Sequence, residues 1–301
     1  MSQESDQGKN EIRPVFITYP TLYSLLMLNY LVNVRNIKFA GVILSIAHIK
    51  RMAINFSYLE SAYILMKKSG LSYVLYMMLN TKCAYFITAA WWVAGLFTGK
   101  RRLFKTFGQL LKDHRIPVLK SADINGEEAF HFMKGVDANL IVSSYNNQIL
   151  RYRTCKKFRY GAVGIHNSYL PDFSGLDAAF EGLYQGVKET GVTAHLIDKG
   201  IDTGKIVYQE KIRIKPGDTV FSLNIRQWLR GAQLIPQVLD WFREGPVSTR
   251  EQDPGKAKYP YESYPKRDKV REFMRNGKRC IRMRDIFMID PFLIEFFPSK
   301  Y

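Results

Sequence analysis

The chain has 301 residues, 47% hydrophobic and 14% aromatic, which is enough to bury a sizeable core in one large or two small domains. Lysine and arginine number 44 against 27 acidic residues. The formal net charge of +17 favours an anionic partner such as a phosphorylated substrate, nucleic acid or an acidic membrane surface. The three cysteines are widely spaced and odd in number, which argues against a disulfide framework or a zinc site and indicates a reducing cytoplasm. The spacing of the five histidines matches no metal-ligand motif, so no metal is expected.

An uncharged apolar run at residues 83–98 lies between Lys82 and a basic cluster at residues 100–102, and residues 71–79 are also apolar. Sixteen residues fall short of the roughly 20 that a spanning helix requires. Apolar and aromatic residues bounded by cations are typical of a segment in a membrane interface. Buried core helices or a dimer contact are the alternatives. The first ten residues are polar, so no secretory signal is expected.

The chain opens with a predicted strand at residues 14–18, a helix at 21–32 and a buried strand at 37–45. The turn after the first strand is Tyr-Pro-Thr rather than Gly-x-Gly-x-x-Gly, so a dinucleotide cofactor is not expected. Beyond the apolar run, strands are predicted at 116–119, 138–143, 161–166, 192–197 and 206–214, and helices at 104–113, 125–134, 178–186 and 219–242. This alternation predicts an α/β fold, an open and mostly parallel sheet with helices on both faces.

The domain organisation follows from composition. We expect a disordered tail at residues 1–13, a catalytic-type domain at 14–246 with an apolar helical insert at about 50–105, and a linker with a basic C-terminal extension at 247–301. The basic helix-like segment of this extension either packs on the core, meets phosphate or is a solvated face.

His166 ends one predicted strand, and Asp202 lies in a sharply bent loop after another. In open α/β sheets, ligands bind in the crevice beyond the carboxyl ends of the strands. A lone histidine after a strand is more often structural, and an aspartate beside glycine is ordinarily a turn former. Neither residue alone identifies a site.

The surrounding motifs are more specific. Residues 166–171 read HNSYLP, residues 191–204 read GVTAHLIDKGIDTG, and Asp202 follows His166 by 36 positions. Together they closely resemble the folate-dependent formyltransferases, which include glycinamide ribonucleotide, methionyl-tRNA and amino-sugar formyltransferases. The resemblance covers about residues 14–246, is strongest over 161–209 and is faint across 50–105. It implies a Rossmann-like formyltransferase domain that transfers a formyl group from 10-formyltetrahydrofolate to a primary amine.

That reaction needs a group that stabilises an oxyanion and moves a proton from the attacking nitrogen to the folate nitrogen that leaves. His166 suits both tasks, as the imidazolium and as the neutral ring, respectively. Asp202 would orient the ring and favour the imidazolium. The resemblance thus implies that His166 and Asp202 are catalytic.

Further positions are carried over from the resemblance. The loop beside the reacting centre contains Ser168, Leu170, Pro171 and Gly175. The folate pocket is lined by Tyr145, Asn146, Asn147, Gln148, Ile149 and Leu150, and by the pterin loop with Ile197, Asp198, Gly200 and Ile201. Backbone groups do much of the pterin recognition, so loop shape matters more than identity. His195 matches a family histidine, and we expect it to be structural because strand-interior side chains more often pack or hydrogen-bond locally.

One position departs from the family pattern. The family motif is Asn-x-His, with the amide helping to hold the formyl oxygen, whereas this chain has Gly164 two residues before His166. Loss of one oxyanion donor typically costs about 10² to 10³ in rate. Asn167 is expected to point elsewhere because of strand alternation. Asn146 and Asn147 sit on a neighbouring strand end, and they are the candidate catalytic residues that would supply an amide from another direction. Three hypotheses remain: a relocated donor, a slow or altered transferase, or a catalytically silent protein with this fold.

The acceptor is inferred by elimination. Methionyl-tRNA formyltransferases carry a further β-barrel of roughly a hundred residues, whereas about 55 residues follow Pro246 and do not predict one. A hydrolase's regulatory domain does not fit before residue 14, and glycinamide ribonucleotide formyltransferases lack the apolar insert. We therefore expect a cytoplasmic amino-sugar formyltransferase, acting on an anionic amine with a nucleotide or lipid-linked phosphate carrier. The alternatives are an impaired or non-enzymatic protein at the membrane face and a methionyl-tRNA formyltransferase-like enzyme. A nucleic-acid partner is otherwise not expected, and a homodimer is left open.

Overall fold

The computed structural model describes residues 11–46, 50–51, 54–55, 58–98, 104–287 and 296–297. Its strands are β1 (Pro14–Thr18), β2 (Gly41–Ser45), β3 (Lys50–Arg51), β4 (Ile54–Asn55), β5 (Val118–Ser121), β6 (Leu140–Ser144), β7 (Ala162–His166), β8 (Glu189–Leu196) and β9 (Ile206–Arg213). Seven of them form one sheet in the order β5-β2-β1-β6-β7-β8-β9, and β3 pairs with β4 separately.

The first five strands of the sheet order run parallel, whereas β8 is antiparallel to β7 and β9 is antiparallel to β8. Every residue of β1, β2, β6 and β7 is buried, as expected for apolar strands covered on both faces. β9 lies at the edge of the sheet and is less covered, with only Ile206 and Ile212 buried among its eight residues. The predicted α/β fold with an open, mostly parallel sheet is confirmed.

The helices cover both faces of this sheet. They are α1 (Leu22–Asn29), α2 (Tyr58–Ser69), α3 (Leu71–Thr81), α4 (Ala84–Thr98), α5 (Phe107–Asp113), α6 (Glu127–Gly135), α7 (Tyr152–Cys155), α8 (Ala178–Gln185), α9 (Val220–Glu244), α10 (Arg267–Arg275) and α11 (Met283–Phe287). Along β1, Phe16 joins one buried cluster with α1 and α9, while Val15 and Ile17 join a second cluster with α6. The alternation of side chains along the strand therefore divides the core into two layers.

Some elements differ from their predicted bounds. The strand expected at 37–45 begins only at Gly41, because the backbone N–H of Ile37 bonds to the carbonyl of Leu31 and closes the preceding helical segment. The segment 219–242 forms one helix, α9, capped by Thr219 and continuous through Pro236. Most of the tail expected at 1–13 lies outside the described residues; of its last three, Ile12 is buried. The domain boundaries stay a prediction.

From Tyr58 to Thr98 the apolar insert is helical, as predicted, and forms α2, α3 and α4, whereas its start contains the short strands β3 and β4. Its inner side joins the core: Tyr73, Tyr76 and Trp91 are buried, and the hydroxyl of Tyr76 lies 3.0 Å from that of Tyr23 in α1. The remainder of the range 50–105 lies partly outside the described residues. None of the helices in the described part of the chain combines the length and apolar character that crossing a membrane requires.

Candidate active site

His166 lies at the carboxyl end of β7, where its side chain is almost fully buried. Its Nε2 lies 3.1 Å from the carbonyl oxygen of Phe173, and because a carbonyl only accepts, Nε2 is the donor in this bond. Its Nδ1 faces Oδ2 of Asp202 at 3.6 Å. The structure thus brings together the two residues that the motifs singled out.

The loop after β8 holds Asp202 in place. Asp202 has a φ of 55°, in the left-handed region that few residues other than glycine adopt. Asp198 stabilises the bend, since its Oδ1 accepts hydrogen bonds from the backbone N–H of Gly200 and the hydroxyl of Thr203, at 2.9 and 2.8 Å. Gln252 adds a bond of 2.8 Å to the carbonyl of Asp202. The carboxylate therefore projects from a braced loop.

His195 was expected to be structural, and the structure places it in the site. Its Nε2 lies 3.7 Å from Oδ1 of Asp202, so the carboxylate sits between two imidazoles. Its Nδ1 donates to the carbonyl of Leu196 at 3.0 Å. Burial lowers the pKa of His195; the neighbouring His166 acts in the same direction, and the Asp202 carboxylate opposes it. The neutral ring is the form favoured at neutral pH, and it presents an unprotonated Nε2 to the site.

Gly164 lies directly opposite His195 in the antiparallel pairing of β7 with β8. A side-chain carbon at position 164 would stand 2.7 Å from Nε2 of His195 and 3.0 Å from Cε1. The ring of His195 therefore fills the space that a side chain at position 164 would enter. No sequence signal identified this contact, because the register of β7 against β8 depends on the fold.

The segment after β6 divides into inward and outward side chains. Tyr145 packs into the core, with its ring centroid 5.5 Å from Tyr23 and 5.1 Å from Trp228. Asn147 accepts a hydrogen bond of 2.6 Å from Ser45 of β2, so its side chain is held toward that strand. Gln148 donates to the same hydroxyl at 2.7 Å. The next two residues differ in exposure, since the side chain of Ile149 is 64% exposed and that of Leu150 is buried.

Asn146 differs from Asn147. Its Nδ2 makes a long contact of 3.4 Å with the hydroxyl of Ser143, and its Oδ1 is a buried oxygen with no hydrogen-bond partner among the described residues. Buried polar atoms are normally hydrogen-bonded, so an orphaned amide oxygen indicates a place for a ligand or water.

The loop of residues 168–175 is built around Ser168, whose hydroxyl donates to the carbonyl of Asp172 at 2.7 Å. Leu170 is buried and is joined to Pro171 by a cis peptide bond. Gly175 has a φ of 113°, and its N–H donates to Oδ2 of Asp202 at 3.3 Å. The loop therefore contacts both ends of the His166–Asp202 pair.

The C-terminal extension supports this loop, which the sequence analysis did not foresee. The backbone N–H of Phe173 donates to the carbonyl of Tyr259 at 2.7 Å, and the two rings stack with centroids 4.6 Å apart. The backbone N–H groups of Lys258 and Tyr259 both donate to Oδ1 of Asp172. Because Phe173 also accepts from His166, the extension helps to position the histidine.

Two adjoining cavities of about 600 and 310 Å³ open beyond the ends of β1 and β2. The larger is lined by Lys112, Arg115 and Lys120 together with apolar side chains of β2 and α5. The smaller reaches Ser45, the residue that bonds Asn147 and Gln148. Neither cavity is lined by His166, His195 or Asp202, and in the sheet order β6 separates β1 from β7, which carries His166. Within the described ranges, no three or more His, Cys, Asp or Glu residues are grouped to hold a metal.

Residues 98–239 match the sequence model of the family described as formyl transferase. The match includes five of the seven strands of the main sheet and contains His166, His195 and Asp202. This match confirms the resemblance to the formyltransferases that the motifs indicated.

Individual relatives are formyltransferases. The methionyl-tRNA formyltransferase of Lactobacillus acidophilus is 32% identical over 158 residues, which are 52% of this chain and 50% of that protein. The GDP-perosamine N-formyltransferase of Brucella melitensis is 32% identical over 144 residues, or 48% and 53% of the two chains. This chain thus spans about half the length of the curated relatives it matches.

A solved structure shares the fold. The N-formyltransferase from Helicobacter canadensis, in complex with folinic acid and dTDP-3-aminofucose, aligns with 84% of this chain and 71% of its own at a TM-score of 0.50 and 17% identity.

Proposed function

We propose that this protein transfers a formyl group from 10-formyltetrahydrofolate to a primary amine. The observation that carries the proposal is the His166–Asp202 pair, held at the carboxyl ends of the strands within a formyl transferase domain. The Helicobacter canadensis enzyme, which shares the fold, is described in complex with folinic acid, a formylated folate.

The residues expected to hold the folate fit a flat ring with polar edges. Leu150 and Ile197 join the same buried cluster, which brings the segment after β6 and the loop after β8 together. Each loop also presents an exposed apolar side chain, Ile149 and Ile201. The unpartnered Oδ1 of Asn146 supplies an acceptor beside them.

In the proposed reaction, the amine nitrogen bonds to the formyl carbon and the carbonyl electron pair moves to oxygen. The amine then loses a proton, the bond to the folate nitrogen breaks and that nitrogen gains a proton. His166 is buried, and its Nε2 donates to Phe173, so its Nδ1, which faces Asp202, is the nitrogen that stabilises the oxyanion when the ring is the imidazolium. Asp202 steadies the imidazolium that forms.

For the acceptor we propose an amino sugar on a nucleotide or lipid-linked phosphate. The cations of the larger cavity, with the net charge of +17, suit a phosphate-bearing acceptor beside the folate. The Brucella melitensis relative is named for an amine of this kind, GDP-perosamine. A methionyl-tRNA acceptor is the second candidate, favoured by the Lactobacillus acidophilus relative.

The test combines binding and turnover. We expect calorimetry to show folinic acid binding, and expect formyl transfer to one member of a panel of nucleotide-linked amino sugars and methionyl-tRNA. His166→Ala should lower transfer by about 10² to 10⁴, while His131→Ala, at an exposed position in α6, should leave it unchanged. Folate binding without transfer to any amine would point to a catalytically silent protein. The absence of both would refute the proposal.

A further inference from the structure

The insert exposes an apolar face opposite to the one it buries. On α3, the buried residues Tyr73, Tyr76 and Asn80 occupy one side, while Leu71 and Leu75 are exposed on the other. On α4 the exposed apolar residues recur at helical spacing, and Phe86 and Phe97 are 76% and 86% exposed. The exposed apolar face comprises Tyr63, Met66, Leu71, Leu75, Met78, Tyr85, Phe86, Val93, Leu96 and Phe97.

The same stretch of chain is cationic. Residues 61–112 contain eight lysines and arginines and no acidic residue. The cations are Lys67, Lys68, Lys82, Lys100, Arg101, Arg102, Lys105 and Lys112. Exposed apolar side chains on helices flanked by cations are the combination that binds the interface of an anionic bilayer.

We propose that the exposed apolar face docks on an anionic lipid surface. A second copy of this chain is a less favourable partner for this face, because two chains of net charge +17 with the same cationic segment would repel each other. An anionic bilayer complements both features. The inner sides of α3 and α4 remain packed on the domain, so the protein lies on the surface without unfolding its insert.

Docking bears on the acceptor, and this step rests on the proposed function. Tyr85 belongs to the exposed apolar face and also lines both cavities beyond β1 and β2. The larger cavity combines cations with apolar walls. A lipid-linked amino sugar would therefore enter from the side on which the protein contacts the bilayer.

The test is co-sedimentation of the full chain with vesicles. We expect binding to vesicles containing phosphatidylglycerol, weakening at high salt, and little binding to phosphatidylcholine alone. Phe86→Asp with Phe97→Asp should lower the bound fraction by at least about tenfold, whereas Met283→Asp, at an exposed apolar position outside the insert, should not. Equal binding of both variants, or no wild-type binding, would overturn the proposal. So would a wild-type dimer that Phe86→Asp with Phe97→Asp makes monomeric. None of these results depends on formyl transfer.

A second inference comes from the contact between Gly164 and His195. We infer that His195, whose ring fills the space beside Gly164, accepts the proton of the attacking amine in the proposed reaction. Its Nε2 is the atom that a side chain at 164 would meet. Its Nδ1 is engaged with Leu196, so Nε2 carries the lone pair.

The charged and titratable groups facing His195 agree with this role. Asp202 stabilises the imidazolium, His166 disfavours a second cation nearby, and Asp198 is a more distant carboxylate. The proton that His195 accepts passes to the folate nitrogen that leaves, which restores the neutral ring. The group beside Gly164 is therefore a base on β8.

This inference changes what substitution of Gly164 should do. A side chain at 164 displaces the His195 ring, so Gly164→Asn alone should lower transfer rather than raise it. We expect His195→Ala to lower kcat/KM by about 10² and to remove the acidic limb of its pH profile, where the ring becomes protonated and can no longer act as a base. Gly164→Ala should have a similar effect, and the double variant should be no worse than either. Gly135→Ala, where an added carbon meets nothing within 4 Å, is the matched glycine control.

Two readouts separate this inference from the proposed function. If His195→Ala leaves kcat/KM and its pH profile unchanged, or if the two single effects add, the role of His195 is wrong even though transfer occurs. The NMR titration of the His195 ring needs no turnover. If the ring signals respond to Gly164→Ala but the wild type transfers no formyl group, the proposed function fails and the placement of His195 stands. Unchanged ring signals would overturn the placement.

Discussion

Tyr73 of α3 donates a hydrogen bond of 2.5 Å to Oδ2 of Asp177, the residue that caps α8. The other carboxylate oxygen accepts from the backbone N–H of Phe180. One buried carboxylate thus ties the insert to the helix that follows the loop of His166. The insert and the formyl transferase domain share a polar contact as well as a core.

Tyr73→Phe tests the hydrogen bond between Tyr73 and Asp177. The substitution keeps the ring but removes the hydroxyl, which leaves Asp177 buried with one donor fewer. We expect a loss of about 1–3 kcal/mol in the free energy of unfolding at neutral pH, measured by urea denaturation. Tyr63→Phe, at an exposed position in the same insert, is the control and should change little. Equal effects would mean that the bond to Asp177 contributes nothing.

Asp177 also predicts a pH dependence. Burial raises its pKa from 3.8 to about 6, against opposing hydrogen bonds from Tyr73 and Phe180. The folded protein therefore binds this proton more tightly than the unfolded chain, so the contribution of Asp177 to stability is greatest below about pH 4 and falls as the pH rises to about 6. The shift corresponds to roughly 3 kcal/mol.

Asp177→Asn should remove this dependence. The stability of the variant relative to the wild type should rise between about pH 4 and pH 6.5, as measured by urea denaturation across that range. Other titrating groups cancel in the difference. A difference that is independent of pH would contradict the raised pKa.

Gly175→Ala should damage the site more than an ordinary glycine substitution. Position 175 has a φ of 113°, and an added carbon there would overlap the carbonyl oxygen of Glu262. We expect a loss of at least about 2 kcal/mol together with reduced transfer, because the N–H of Gly175 contacts Asp202. Gly161→Ala also has a positive φ but no neighbour within 4 Å, so it should cost only about 1 kcal/mol. Similar losses would exclude the overlap as the cause.

Tyr259→Ala tests the support that the extension gives to the loop of residues 168–175. Loss of the stacked ring should reduce stability by about 0.5–1.5 kcal/mol beyond the lost area and should lower kcat more than it weakens folinic acid binding, because Phe173 accepts from His166. Tyr259→Phe retains the ring and should restore the wild-type value. Loss of folate binding in Tyr259→Ala with kcat unchanged would place the support elsewhere.

Much of the fold could be predicted along the chain. The strands β1, β6 and β7 are continuous apolar runs, so their positions followed from local pattern, whereas β2 was predicted to begin four residues too early. The helical insert could be predicted from composition, but which of its sides is buried and which is exposed could not. Whether Tyr73 or Leu75 faces the core depends on which surface α3 meets.

The candidate site was predicted unevenly for the same reason. His166 and Asp202 could be identified because each lies in a short loop motif made of consecutive residues. Tyr145 and Asn147 were correctly placed at a strand end, yet Tyr145 turns into the core and Asn147 bonds to Ser45. The contact of Tyr259 with Phe173 was not predicted, because a segment rich in proline and tyrosine has no periodic pattern from which its packing position can be inferred.

By itself the sequence determined the resemblance to the formyltransferases and the mostly parallel sheet, and it singled out His166 and Asp202, because strand patterns and turn motifs lie in consecutive residues. It also showed that position 164 lacks a side chain. Only the tertiary structure decided what fills that space. The antiparallel register of β7 against β8 sets Gly164 opposite His195, and pairing between strands is a property of the folded sheet.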